Sequence, residues 1–194
     1  SSDAPSLRYI CPVMHRPDLM RKGNWVSWCP PNMGLKQNFD GSCVGGCIRG
    51  DVVVPDGSGS ILLAFSAFYG SGNSIQAEAE AMNTGVMLCA QRNISISQIE
   101  THSMIILNSM EGKISTPWSI VYLIRKCRRW IDSNKIHLSH TWREGNKVAD
   151  YFASFMVADQ GNNVVCFHSI LQIEPEGVGL IRGDQLGLHY FRPP

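Results

Sequence analysis

The chain predicts an α/β fold organised as one domain with tails. Three consecutive segments between residues 35 and 68 read as extended, and from residue 74 the apolar spacing switches to three- and four-residue steps before alternating between the two periods. With 44% apolar residues in 194, the chain can fill one sizeable core but is too short for two large domains.

Residues 1–33 are rich in Pro, Ser and scattered charge, and they end in Cys29-Pro30-Pro31-Asn32-Met33, which cannot donate a regular hydrogen-bond ladder. They are predicted as a leader or linker. From there, Leu35, Gln37 and Phe39 alternate with Lys36, Asn38 and Asp40, predicting a strand that ends at Gly41 with Asn38 and Asp40 on one face. Gly46–Val54 and Ser60–Phe68 form a hairpin around Pro55-Asp56-Gly57-Ser58-Gly59, whose residues adopt turn dihedrals at little cost. Ile75, Ala79, Met82, Val86 and Cys89 mark a helix over 74–92 behind a Ser74 N-cap, with Glu78 on its first turns. A strand at 94–101 and a helix from about Ser103 follow. Ser115-Thr116-Pro117 opens the next helix. Ile136–Trp142 reads as a fifth strand and Asn146–Ala158 as a last helix, with Val148, Phe152, Phe155 and Met156 inward. The order is β-β-β-α-β-α-α-β-α. Residues 160–194 carry a Gly/Pro-punctuated pattern without assigned elements, which places the domain at 34–159.

The formal net charge of +1 means that any footprint for a polyanion must be local. Seven scattered cysteines without a C-x-x-C pair argue against a disulfide framework and a ribbon-type zinc site, and favour a reducing, intracellular compartment. Nucleus and cytoplasm are not distinguished, and neither is the oligomeric state. No apolar run approaches the ~18 residues of a membrane span, and charges interrupt the N-terminus where a signal peptide would be apolar, so a soluble chain is expected. A first residue of Ser suggests a fragment or a processed chain.

Asp40 at a strand end, Glu78 near a helix start and Asp150 one turn into the last helix converge if their elements pack side by side. Unshielded, two such charges ~4 Å apart repel by about 4 kcal/mol at an effective dielectric near 20, and divalent cations remove that cost. Spacing alone fits equally well a strand-end turn former and two ordinary helix charges.

Four phrases decide between these readings: Asn38-Phe39-Asp40-Gly41-Ser42, Ala77-Glu78-Ala79-Glu80-Ala81, Glu100-Thr101-His102-Ser103, and the run from Arg143 to Asp150. With Trp28-Cys29-Pro30-Pro31, Ile48-Arg49, Ala64-Phe65-Ser66 and His140-Thr141-Trp142, they resemble the plant ribonuclease H-like, reverse-transcriptase-like domain found at the C-terminal end of non-LTR retrotransposon polyproteins and in stand-alone derivatives. The resemblance runs from about Trp25 to Ala158. It implies a ribonuclease H-like fold with a mixed five-stranded sheet flanked by helices, and an endonuclease that cuts RNA/DNA hybrids with two Mg²⁺ ions, or Mn²⁺. Asp40 would bridge both metals, Glu78 would hold one and Asp150 the other. Asn38, Ser42, Arg143 and Asn146 would face the nucleic acid.

Three departures from the family's pattern stand out. His102 occupies the place of a metal-binding aspartate, so the two-metal set is incomplete and activity is expected to be attenuated; an imidazole suits zinc better than magnesium, and capture of zinc by Asp40, His102 and Asp150 is one reading. The other is an ordinary hydrogen-bonded histidine. The distance from Asp40 to Arg49 is short, predicting a frayed or shifted first hairpin, and the Arg143–Asn146 turn is compact. His137 and His140 fall on opposite strand faces and make no metal pair.

Between Lys113 and Lys147 eight cations face two carboxylates, and Arg125 and Arg129 share a helix face with Trp118 and Tyr122. Such a stripe can track a phosphate backbone, or it is simply a solvated face. Three functions follow: an attenuated hybrid nuclease, a non-catalytic nucleic-acid-binding domain, and a protein-interaction module with Tyr190-Phe191 as a contact.

Overall fold

The structure is a computed structural model that describes residues 23–31, 33–155, 165–167 and 172–193. Its strands are β1 (Asn24–Val26), β2 (Leu35–Val44), β3 (Cys47–Pro55), β4 (Ile61–Ser71), β5 (Ile96–Thr101), β6 (His137–His140), β7 (Val165–Phe167) and β8 (Tyr190–Arg192). The helices are α1 (Ser74–Gln91), α2 (Met104–Glu111), α3 (Val121–Asn134), α4 (Lys147–Phe155) and α5 (Pro175–Gln185). The main sheet has the order β6-β5-β2-β3-β4-β7, while β1 and β8 form a separate two-stranded ribbon. β2 pairs parallel with β5, and β5 with β6; the other main-sheet pairings are antiparallel, so the sheet is mixed.

The five predicted strands form the sheet, and the sixth, β7, comes from the segment after 160 that carried no assignment. That segment also supplies α5 and β8.

β2 is the central strand and is buried on both faces, which is why Lys36, Gln37, Asn38, Phe39 and Asp40 are all interior despite their alternating chemistry. One face is apolar: Phe39, Val52, Val54, Leu63 and Phe65 pack against α1, α2 and α3 through Met82, Val86, Ile106, Ile124 and Ile131. The other face packs Val53 and Ala64 against Val148, Ala149 and Phe152 of α4 and Ile181 of α5.

The first hairpin corrects an expectation. β2 does not stop at Gly41, and the β2–β3 ladder runs unbroken from Asn38↔Val53 to Val44↔Cys47. Gly45 and Gly46 close it with φ of 59° and 79°, left-handed values that glycine adopts without strain and that a tight primed turn requires. Shortness therefore makes the hairpin tight, not frayed. The cap of α1 is Asn73, one residue earlier than predicted; its side chain accepts from the Gln76 amide while the Gln76 side chain accepts from the Asn73 amide. Pro117 leads into a single 3-10 turn at Trp118–Ile120, and α3 proper begins at Val121. The fifth predicted strand is trimmed to β6. Met156, expected inward on the last helix, lies outside the described residues.

Candidate active site

The parallel pairing of β2 with β5 sets Asn38 beside Glu100, so Asp40, midway along β2, and His102, just past the end of β5, come side by side. Ser103 caps α2 by accepting from the Ile106 amide, which ends β5 and leaves His102 at the junction. Glu78 comes from α1, where close approach is possible because position 41 has no side chain: a Cβ there would lie 2.2 Å from the Glu78 amide nitrogen.

The result is a compact group. Donor atoms of Asp40, Glu78 and His102 all lie within 4.8 Å of one another. His102 Nε2 is 2.9 Å from Glu78 Oε1 and 3.5 Å from Asp40 Oδ1. Asp150, half-exposed on the first turn of α4, joins through Arg143, whose Nη2 is 3.0 Å from Asp150 Oδ1 and 3.7 Å from Asp40 Oδ2. Asp40 Oδ1 also accepts from the Gly41 amide at 2.8 Å.

Burial, reinforced by the charge of Glu78, pushes the Asp40 carboxyl up to about 8. Burial works against the His102 imidazolium, but its hydrogen bond to Glu78 and the charges of Glu78 and Asp40 outweigh it and raise its pKa.

Sequence reasoning missed Asp51. It lies directly across from Asp40 on β3, is fully buried, and among the described residues neither of its oxygens has a hydrogen-bond partner. Burial first, then the charges of Asp40, Glu78 and Asp150, hold it protonated well above the usual carboxylate range. The available signal was a carboxylate directly before the apolar run Val52-Val53-Val54 of the same strand, where a strand buried on both faces tolerates one only for a reason.

The other sequence-predicted residues divide by exposure. Asn38 is interior, accepting from Trp28 Nε1 at 3.3 Å and donating to Glu100 Oε2 at 3.1 Å. Asn146 is buried and donates to the Phe39 carbonyl at 2.9 Å, tying the start of α4 to β2. Ser42 is half-buried, and Arg143 is 61% exposed. Arg125 and Arg129 are exposed on α3 beside Tyr122, with Trp118 one turn before; among the described residues, no hydrogen bond or ion pair joins them to the carboxylates. His137 and His140 lie on β6 outside the Asp40–Glu78–His102 cluster, although His140 neighbours His102.

The donor set fits a divalent cation. Asp40 Oδ2 and Glu78 Oε2 are buried with no hydrogen-bond partner among the described residues, and atoms within 4.8 Å of one another are spaced as ligands of one ion at 2.0–2.3 Å would be. His102 Nε2 is a neutral nitrogen donor in that set, softer than an aspartate oxygen.

A buried carboxylate group on the central strands of a mixed sheet, with a helix crossing behind it, defines a ribonuclease H-like domain. Residues 38–156 match the reverse transcriptase-like family, and the chain belongs to it. An Arabidopsis thaliana protein named "Putative ribonuclease H protein" is 25% identical over 166 residues, which is 84% of this chain but only 26% of that relative's length. Three solved structures share the fold. RNase H1 from Halobacterium salinarum is 21% identical with a TM-score of 0.51, covering 62% of this chain and 94% of its own. The N-terminal RNase H domain of a Mycobacterium tuberculosis protein is 17% identical with a TM-score of 0.57, covering 62% and 90%. LC11-RNase H1 in complex with an RNA/DNA hybrid is 22% identical with a TM-score of 0.55, covering 62% and 94%. Among the described residues no helix is long and apolar enough to cross a membrane.

Proposed function

We propose that this domain binds RNA/DNA hybrids at the carboxylate cleft in the presence of a divalent cation, and that its endonuclease activity with Mg²⁺ is attenuated by His102. The observation that carries this reading is the convergence of Asp40, Glu78 and His102 donor atoms within 4.8 Å. Asp40 and Glu78, each with an oxygen that makes no hydrogen bond among the described residues, would hold the cation once Arg143 moves off Asp40. When bound, a divalent cation lowers the pKa of water and neutralises charge on a phosphodiester.

The chain's own residues set the limits of that chemistry. His102 adds no negative charge, and its 2.9 Å contact ties up one Glu78 oxygen. Arg143 is exposed and bridges Asp150 to Asp40, so it is placed to exchange those carboxylates for a strand phosphate. That exchange frees Asp150. Asn146 ties the start of α4 to β2, and the Gly41 amide steadies the Asp40 carboxylate.

The test is cleavage of a labelled hybrid by the parent, by His102→Asp, and by His102→Asp with Asp40→Asn, in Mg²⁺ and in Mn²⁺. The parent is expected to cleave weakly, more with Mn²⁺, and His102→Asp to gain about tenfold or more with Mg²⁺, because an anionic oxygen suits that ion. Asp40→Asn removes the gain. Strong Mg²⁺-dependent cleavage by the parent contradicts attenuation; hybrid binding with no cleavage in any variant assigns the domain to the non-catalytic reading.

A further inference from the structure

A concentration of exposed aromatic and cationic side chains lies beside the cleft, on the β1–β8 ribbon and the turn beneath it. Both ribbon strands fall outside the 38–156 stretch that matches the family. Trp142 directly precedes Arg143 and is 43% exposed. Arg192 of β8 stacks over the Trp142 ring at 3.5 Å, and His140 meets the same ring edge-on at 4.9 Å. The path starts at the cleft itself, since the Thr141 amide donates to the Thr101 carbonyl next to His102. On the outer side of the ribbon, Trp25 and Phe191 face each other in register, 5.4 Å apart, and expose 67% and 49% of their surface.

The cations here are Arg143, Lys147 and Arg192, with Lys147 lying 4.1 Å over the Tyr190 ring, and they stand against Glu144 of the same turn and Asp184 beside Tyr190. The charged neighbours of His140 are His102 and Arg192, both basic. Asp150 is already engaged by Arg143.

We propose that the Trp142–Arg192 seam binds a single-stranded nucleic-acid segment as it leaves the cleft, with Trp25 and Phe191 offering a second stacking surface on the opposite face of the ribbon. Aromatic faces stack on any unpaired base and cations follow its phosphates, whereas a duplex hides its base faces from such side chains. Stacking faces beside cations that lie next to the carboxylate cleft suit a strand already held there better than a separate protein partner. The inference rests on the nucleic-acid reading of the cleft only for where the strand enters.

Fluorescence anisotropy with three probes tests it: a blunt RNA/DNA hybrid, the same hybrid carrying a short oligothymidylate extension at either end of its DNA strand, and the oligothymidylate alone. At fixed ionic strength one of the extensions is expected to tighten binding about tenfold, the scale of stacking one base. Trp142→Ala with Arg192→Ala should erase that gain and leave the blunt probe unchanged. Trp25→Ala, at a mostly exposed position, should reduce the gain without threatening the fold, and Trp142→Phe should keep most of it. A blunt hybrid that binds with no gain from either extension, or a gain that survives Trp142→Ala with Arg192→Ala and Trp25→Ala, overturns the seam. Binding of the oligothymidylate lost in the same variants, with no binding of the blunt hybrid, supports the seam and overturns the hybrid reading of the cleft.

Discussion

The two faces of the central sheet are buried alike, but their buried charged side chains gather on one. On the face toward α1, α2 and α3 the strands contribute mostly hydrocarbon, with Phe39, Val52 and Phe65 fully covered beside the buried Gln37. On the face toward α4 the apolar cluster of Val53, Ala64, Val148 and Phe152 is joined by Lys36, Asn38, Asp40, Asp51 and Ser66, each at most 4% exposed. Lys36 Nζ pairs with Glu100 Oε2 at 2.9 Å, donates to the Cys29 carbonyl and lies 4.7 Å from the Trp28 ring. Gln98 donates to Glu100 and to Ser139, both at 3.1 Å. The first face supplies stability by area removed from water; the second places charge on the central strands where the cleft opens, at a cost in desolvation.

The largest effect should come from breaking the apolar face. Phe39→Ala removes a fully buried ring and is expected to cost about 3–5 kcal/mol in denaturant unfolding. On the polar face Lys36→Met should cost about 1–3 kcal/mol, because the mostly covered Glu100 loses its counter-charge and keeps only the Asn38 and Gln98 donors. Adding Glu100→Leu should recover most of that loss. A double variant as unstable as the single one would mean that the pair itself stabilises the fold.

Next comes Asp51. A buried carboxyl with no partner costs about 1–3 kcal/mol, so Asp51→Val should raise the metal-free melting temperature. A drop would show that Asp51 has a partner that matters to the fold.

The pH dependence should follow the same face. Asp40 has its pKa raised from 3.8 to about 8, so between those values the folded chain holds a proton that the unfolded chain has released. Stability from this group is present below pH ~4 and is lost as pH rises toward about 8. The raised His102 and Asp51 values act in the same direction. In EDTA the melting temperature should therefore fall between pH 5 and pH 8.5 by on the order of 5 °C, and Asp40→Asn should flatten the slope. A rise across that window contradicts the assignment.

What was legible in the sequence divides along the same line. The apolar face was read from periodicity, since α1 through Met82, Val86 and Cys89 and the hairpin strands behave as amphipathic elements should. The residues of the cleft were read from their family phrases, and the parallel register of β2 and β5, which no single sequence encodes locally, is what brings Asp40 and His102 together. Asn146 was read as a contact to nucleic acid, but the structure buries it against the Phe39 carbonyl. Asp51 escaped because its meaning depends on a cross-strand neighbour. β7 and α5 escaped because a three-residue edge strand and a helix with three glycines carry little periodic signal.

The smallest effect on stability is expected on the outer surface of the layer that covers the apolar face. α3 turns Ile124, Cys127 and Ile131 into the core, and its other side carries Arg125 and Arg129 beside Tyr122, 72% exposed, after Trp118, 88% exposed. Arg128 does not belong to this stripe, since its guanidinium donates to the Ser109 carbonyl and anchors α3 to α2. Arg125→Ala with Arg129→Ala should therefore change unfolding free energy by no more than about 0.5 kcal/mol, as for surface positions without partners. Binding is where the pair should matter: if both contact phosphates, the slope of log affinity against log salt for an RNA/DNA hybrid should flatten by roughly two units. An unchanged slope assigns the stripe to solvent and leaves the cleft and its own cations, Arg143 foremost, to carry the electrostatics. A flattened slope with an unchanged melting temperature shows that α3 separates its two duties by face, with hydrocarbon inward for stability and charge outward for the nucleic acid.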